Sequence, residues 1–110
     1  FYLTDASECG SMFFSLTRKS ENFFYVESIP LEEMLDVHQI KSVDFMKVDI
    51  EGAEEELILN EEKVWEKKLI KKLYVDSHSG VDYQKIADHL LGFGYKYERV
   101  GENRGHFFHL

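Results

Sequence analysis

The sequence predicts an α/β fold with a mixed sheet, mostly parallel and closed by an antiparallel hairpin. From Ser42 onward, apolar strand-like runs alternate with stretches of helical spacing, the rhythm that parallel strand pairing requires. Two more short runs follow the last helical stretch across the turn Gly-Glu-Asn-Arg-Gly at 101–105, which makes them a hairpin at one edge. The 110 residues give room for a single domain, residues 1–110. Hydrophobic residues at 44% and aromatics at 15% are ample for a core, so wholesale disorder is excluded.

Taken in order, residues 1–4, 12–17 and 23–27 are short aromatic-rich runs separated by turn formers, and read as strands. Pro30 suits the first turn of a helix, where its missing N–H would be unpaired anyway. Leu31, Met34 and Leu35 then fall at helical spacing. Residues 43–50 form an apolar extended run that ends at Glu51-Gly52. Residues 53–59 read as a helix, with Val64 and Trp65 on a further turn. Residues 69–75 are a second buried strand, ending at Asp76-Ser77-His78. Asp82 is placed to cap a helix whose apolar face is Tyr83, Ile86, Ala87, Leu90 and Leu91, with Gly92 and Gly94 stopping it. Residues 95–100 and 106–110 are the closing strands. No repeat or low-complexity tract divides the chain.

Acidic residues outnumber basic ones 21 to 13, for a net charge of −8, which argues against a nucleic-acid partner. Cys9 stands alone, so it builds neither an internal disulfide nor a zinc site, and a reducing compartment is expected. No apolar run approaches the ~20 residues that span a bilayer, and no signal-peptide pattern is present. A cytoplasmic protein without a membrane partner is the resulting expectation. The chain opens at Phe1 already in a strand-like run, which suggests a fragment of a longer protein.

Several features have ordinary explanations. Glu54, Glu55 and Glu56 open a helix, where negative charge suits the macrodipole. Lys63, Lys67, Lys68, Lys71 and Lys72 read as a solvated patch balancing nearby glutamates. His106 and His109 fall on opposite faces of a short strand and so do not converge on a metal. The aromatic residues Phe13, Phe14, Phe23, Phe24 and Tyr25 suit a core or an interface.

The chemistry concentrates in V-D-F-M-K-V-D-I-E-G-A-E, residues 43–54. In a strand, Lys47, Asp49 and Glu51 share a face with Val43 and Phe45. A buried Lys47 needs a partner, which Asp49 or Glu51 can supply. Asp49 and Glu51 also lie at the strand's carboxyl end, the rim where open α/β sheets bind ligands. Gly52 permits a sharp turn and a close approach of ligand to backbone. On spacing alone, a solvated strand end explains these charges as well as a binding rim does.

A resemblance separates the two. V-E-S-I-P-L-E-E-M-L (26–35), then V-D-F-M-K-V-D-I-E-G-A-E, then a strand ending in Asp76-Ser77-His78 resembles the C-terminal signature of the FkbM family of methyltransferases. The family pattern runs close to S-I-P-L-D-x-L-L, D-F-L-K-I-D-V-E-G-A-E and a strand ending in E-x-H. The match extends from about Val26 to His78, and Asp76 departs from it by standing where the family usually has Glu.

The resemblance implies a Rossmann-like class I methyltransferase fold, seven-stranded with an antiparallel last strand. Residues 43–50 and 69–75 would be its fourth and fifth strands, and the hairpin its sixth and seventh. The family's glycine-rich cofactor loop would lie upstream, since Gly10 stands alone without a G-x-G pattern. The chain would then be the C-terminal portion of a methyltransferase domain, with the N-terminal cofactor-binding part absent. The implied cofactor is S-adenosylmethionine, and the implied acceptor is a hydroxyl of a small sugar or natural product.

In that setting Asp49 positions the acceptor or the cofactor's charged end. Glu51 acts as a base or fixes Lys47, and His78 stands beside them as a base. Lys47, Gly52 and Asp76 are the expected substrate contacts. A divalent cation at Asp49, Glu51 and His78 is disfavoured because the set is acid-rich and undersized, so no metal site is expected. Two alternatives come from other classes. One is a non-catalytic module that self-associates through the exposed sheet edge at 43–50; the other is a metal-assisted hydrolase using Asp49, Glu51 and His78.

Overall fold

Where apolar runs alternate with helical spacing in the sequence, strand and helix alternate in space. The computed structural model describes residues 25–78 and 80–109. Along the chain stand α1 (Leu31–Val37), β1 (Met46–Val48), α2 (Glu54–Leu59), α3 (Glu62–Glu66), β2 (Lys72–Asp76), α4 (Tyr83–Gly92), β3 (Lys96–Gly101) and β4 (Arg104–Phe108). The strands expected at 1–4 and 12–17 lie outside the described residues, as do Cys9, Gly10 and the phenylalanines before Tyr25. Residues 25–27, expected to finish a third strand, carry no strand.

The sheet has four strands in the order β1-β2-β4-β3. β1 and β2 are parallel, with Met46 opposite Leu73 and Val48 opposite Val75. β4 runs antiparallel between β2 and β3, so the closing hairpin occupies one edge, as expected. The sheet is mixed, and α/β describes it.

β1 is shorter than the expected 43–50. Parallel pairing does reach back to Val43, whose N–H donates to the Leu69 carbonyl at 2.7 Å. It lapses at Asp44, a poor strand former whose carboxylate holds Lys71 Nζ at 2.8 Å. At the other end the chain leaves the sheet after Val48 to enter a left-handed turn, with Glu51 at φ 54° and Gly52 at φ 104°.

One core unites these elements. Val48, Ile58, Val64, Trp65, Ile70, Leu73, Val75, Ile86, Leu90 and Phe107 are all at most 1% exposed. Two of its polar handles are satisfied: the Trp65 indole donates to the Ile58 carbonyl at 2.7 Å, and the Tyr95 hydroxyl to the Ile70 carbonyl at 2.6 Å. α4 follows its sequence reading, with Tyr83, Ile86, Ala87 and Leu90 buried and the Asp82 carboxylate accepting from Lys85 N–H at 3.1 Å. Leu91 is the exception, left partly exposed on the flank of that face. Gly92 is the last helical residue, and Gly94, at φ 89°, turns the chain toward β3. α1 buries Leu31 and Leu35 but leaves Met34 partly exposed. Pro30 precedes its first turn and offers no capping oxygen, so Glu61 supplies one from a distance, its carboxylate accepting from the N–H groups of Leu31 and Glu32.

The expected burial of Lys47 does not occur. The buried face of β1 and β2 is that of Val48, Leu73 and Val75, and alternation turns Lys47 to the other face, where its side chain is 55% exposed. Phe45, two residues before it, is also exposed. No described helix is long and apolar enough to cross a membrane.

Candidate functional site

The parallel pair β1–β2 ends at one rim, and the segments that leave it carry the expected site residues. After β1 come Asp49, Glu51 and Gly52; after β2 come Ser77 and His78. The Ser77 N–H and hydroxyl donate to the Asn103 carbonyl at 2.9 and 3.0 Å, which ties this segment to the hairpin turn. His78 then projects toward the end of β1.

Its imidazole is the centre of the cluster. Nε2 lies 3.2 Å from Glu51 Oε2 and 3.5 Å from Asp49 Oδ1. On the opposite edge of the ring, Nδ1 lies 2.7 Å from Glu54 Oε1. An ionised carboxylate only accepts, so Nδ1–H is the donor to Glu54. Asp49 also holds Lys47 Nζ at 3.1 Å, which supplies the partner expected for that lysine, although at the surface.

Sequence reasoning missed Glu54, which it assigned to the helix dipole. Glu54 has no exposed surface, and its carboxylate accepts from Ile50 N–H at 3.1 Å and Gly52 N–H at 3.0 Å as well as from His78. A buried carboxylate requires such partners, and three donors meet the need. One sequence signal was available: Glu54 stands four residues before Ile58, on the face of α2 that enters the core. The two following glutamates differ from it. Glu55 accepts from Asp82 N–H at 3.1 Å and pairs with Lys85 at 3.2 Å, joining α2 to α4. Glu56 is exposed.

The electrostatics follow from this layout. Partial burial of His78 opposes its charged form, but the hydrogen bond to Glu54 and the charges of Glu54, Glu51 and Asp49 together outweigh it. The imidazole is therefore held above the ordinary histidine value of 6.5.

The other expected residues fall as follows. Gly52 makes the sharp turn foreseen for it, but its N–H is committed to Glu54 rather than presented to a ligand. Asp76 stands in β2 opposite Arg104, outside the group of carboxylates that touch His78. Asp49, Glu51 and His78 offer donor atoms that all lie within 4.8 Å of one another, so they are also the described residues able to grip a cation. His106 and His109 take separate aromatic neighbours, Tyr74 at 4.9 Å and Tyr95 at 5.4 Å between ring centres. In the lysine patch, Lys71 pairs with Asp44 and Lys68 donates to the Phe93 carbonyl, so each of these two is held by a partner distant in the chain rather than by a neighbouring glutamate. Beside the end of β1 lies an open groove of about 350 Å³, whose lining includes Ile29, Pro30, Ile50, Ala53 and Leu57.

A sheet of this order, with acid and imidazole groups gathered where its parallel strands end, has the layout of an α/β enzyme domain. The chain belongs to the methyltransferase FkbM family, whose domain model matches residues 1–97. No curated protein and no solved structure matches it. The family match spans every residue singled out at the rim.

Proposed function

We propose that this chain carries the acceptor-side rim of an S-adenosylmethionine-dependent O-methyltransferase acting on a hydroxyl of a small sugar or natural product. The observation that carries the reading is the imidazole of His78, held between three carboxylates at the strand ends of a methyltransferase-family domain.

The donor set suits the cofactor's charge. When bound, S-adenosylmethionine would supply an electrophilic methyl group on a cationic sulfonium, with its thioether as the leaving group. Asp49 and Glu51 provide negative charge to hold a cationic group, and Asp49 is the residue assigned to the cofactor's charged end. The remaining work belongs to the chain's own side chains. His78 takes the hydroxyl proton on Nε2, and the imidazolium formed is stabilised by Glu54 behind it and by Glu51 and Asp49 in front. A base held above the ordinary histidine value accepts that proton more strongly than a free imidazole. Lys47 limits the net negative charge beside Asp49. The exposed flank at Lys47, together with the groove beside Ile50, leaves room for an acceptor.

The test is a calorimetric titration with S-adenosylmethionine of the full-length protein, upstream cofactor-binding part included, repeated with Asp49→Asn and followed by a methyl-transfer assay with His78→Gln. Saturable binding, weakened about tenfold by Asp49→Asn, and a rate cut about a hundredfold or more by His78→Gln are expected. Absence of binding would overturn the cofactor assignment. Mn²⁺ and Zn²⁺ in parallel melting experiments would expose the rival metal-assisted hydrolase, through a rise in Tm that Asp49→Asn removes.

A further inference from the structure

We infer that Glu54 is the positioning residue of this rim: its buried carboxylate holds Glu51 in a left-handed turn and fixes the ring of His78 with Nε2 facing Glu51 and Asp49. The role of that ring in methyl transfer rests on the function proposed above; the positioning itself rests on geometry alone.

Glu51 adopts φ 54°, a conformation uncommon for residues other than glycine, asparagine and aspartate. Such a backbone persists only where its surroundings over-determine it. Here the peptide groups on either side of Glu51 are held by one side chain, with Ile50 N–H on Glu54 Oε1 and Gly52 N–H on Oε2. The turn therefore cannot relax without breaking a bond to a carboxylate that has no exposed surface. That turn is what carries the Glu51 carboxylate to within 3.2 Å of His78 Nε2.

The Oε1 atom that receives Ile50 N–H also receives His78 Nδ1–H, at 2.7 Å. A carboxylate there accepts only, so it selects the Nδ1–H tautomer and leaves Nε2 as the basic atom. Orientation of an imidazole by a buried acid behind it is a general device for setting which nitrogen reacts. A carboxylate needed only to start α2 would have no reason to be buried or to reach His78. Glu55 and Glu56 share the same helical turn and satisfy the dipole from more exposed positions.

The first test needs no variant. Imidazole ¹⁵N spectra of the full chain above the His78 titration should show the neutral ring as Nδ1–H; a neutral Nε2–H ring would overturn the inference. In Glu54→Gln, the neutral ring should redistribute toward Nε2–H, and its pKa should fall toward 6.5. In the methyl-transfer assay, kcat should drop about ten- to a hundredfold while the acceptor KM stays nearly constant, because Glu54 touches no ligand. The acidic limb of the pH–rate profile, set by the His78 base, should move with the ring. Glu54→Asp keeps the charge and should recover part of both signals. Should Glu54→Gln lower Tm yet leave the His78 spectrum and pH profile unmoved, Glu54 is a structural clamp only and the inference fails. Should the full-length wild-type protein fail to bind S-adenosylmethionine, the proposed function fails separately, and the ring spectra still decide the positioning.

Discussion

Two strand-to-helix junctions meet at the same rim and are built on opposite principles. At the β2–α4 junction the helix cap is local: Asp82 caps its own helix by accepting from Lys85 N–H, and Gly80, at φ 87°, takes the positive angle at little cost. The β1–α2 junction has Ala53 at the cap position, with no side-chain acceptor, and places Glu51 as well as Gly52 at positive φ. Its bonds come from Glu54 reaching backward, and the same carboxylate crosses to His78 on the other junction. The first junction starts a helix. The second spends a buried charge on holding a shape, and polar networks of that kind are tolerable only when every member is satisfied. The contrast teaches where backbone strain at a non-glycine residue concentrates: on the side that carries the acid groups.

The contrast breaks most visibly at Glu54. Glu54→Ala removes the acceptor of two backbone N–H groups and of an imidazole, all part-buried. We expect a loss of about 3–5 kcal/mol, as when one partner of a buried charged pair is deleted, read from urea unfolding of the full chain. A loss under about 1 kcal/mol, the scale of an ordinary cap, would erase the distinction between the junctions. Gly52→Ala comes next. At φ 104° an L side chain is strained, and we expect about 1–3 kcal/mol of destabilisation. Its size relative to Glu54→Ala reports how much of the junction rests on the turn and how much on the carboxylate.

The two junctions were also unequally legible in the sequence. Asp82 and the face Tyr83, Ile86, Ala87 and Leu90 follow from local rules, a capping side chain and a 3.6-residue period, and the structure agrees with both. The hairpin and the parallel pair were legible for the same reason. The strand at 43–50 was drawn too long because an apolar run does not announce a departure from the sheet: Asp44 turns to Lys71, and Ile50 N–H turns to Glu54. Lys47 was misplaced because an apolar run was taken as covered on both faces, whereas only the Val48 face is buried. Asp49, Glu51 and His78 were assigned together from the motif, and they do meet. Glu54 escaped because its partners lie on other segments, two to twenty-four residues away, while a cheap local reading of three consecutive glutamates was at hand.

A smaller effect should sharpen the comparison from the other side. Asp82→Ala removes one cap bond at an exposed position, with a cost of about 1 kcal/mol, and Asp82→Asn should recover most of it. Neither change should alter the His78 ring spectrum, because the Asp82 carboxylate bonds to Lys85 N–H and not to the ring. A shifted spectrum in Asp82→Ala would mean that the link from Asp82 N–H to Glu55 couples the two junctions more tightly than their bonding suggests.

The smallest effect is a pH dependence centred on His78, where the two junctions meet. Burial lowers the pKa of His78, but the Glu54 hydrogen bond and the charges of Glu54, Glu51 and Asp49 raise it further, and the net direction is upward from 6.5. A group whose folded-state pKa lies above its unfolded value stabilises the fold fully below the unfolded pKa. That contribution is lost as pH rises through the folded pKa. The urea midpoint of the wild-type chain, compared with that of His78→Gln, should therefore show its largest advantage below about pH 6.5 and a shrinking one on the alkaline side. Glu54→Gln should flatten the dependence, since it removes the partner whose hydrogen bond is the leading cause of the rise. An advantage that instead grew with pH would mean the ring is held neutral, and Nε2 would then face Glu51 and Asp49 without a proton to share.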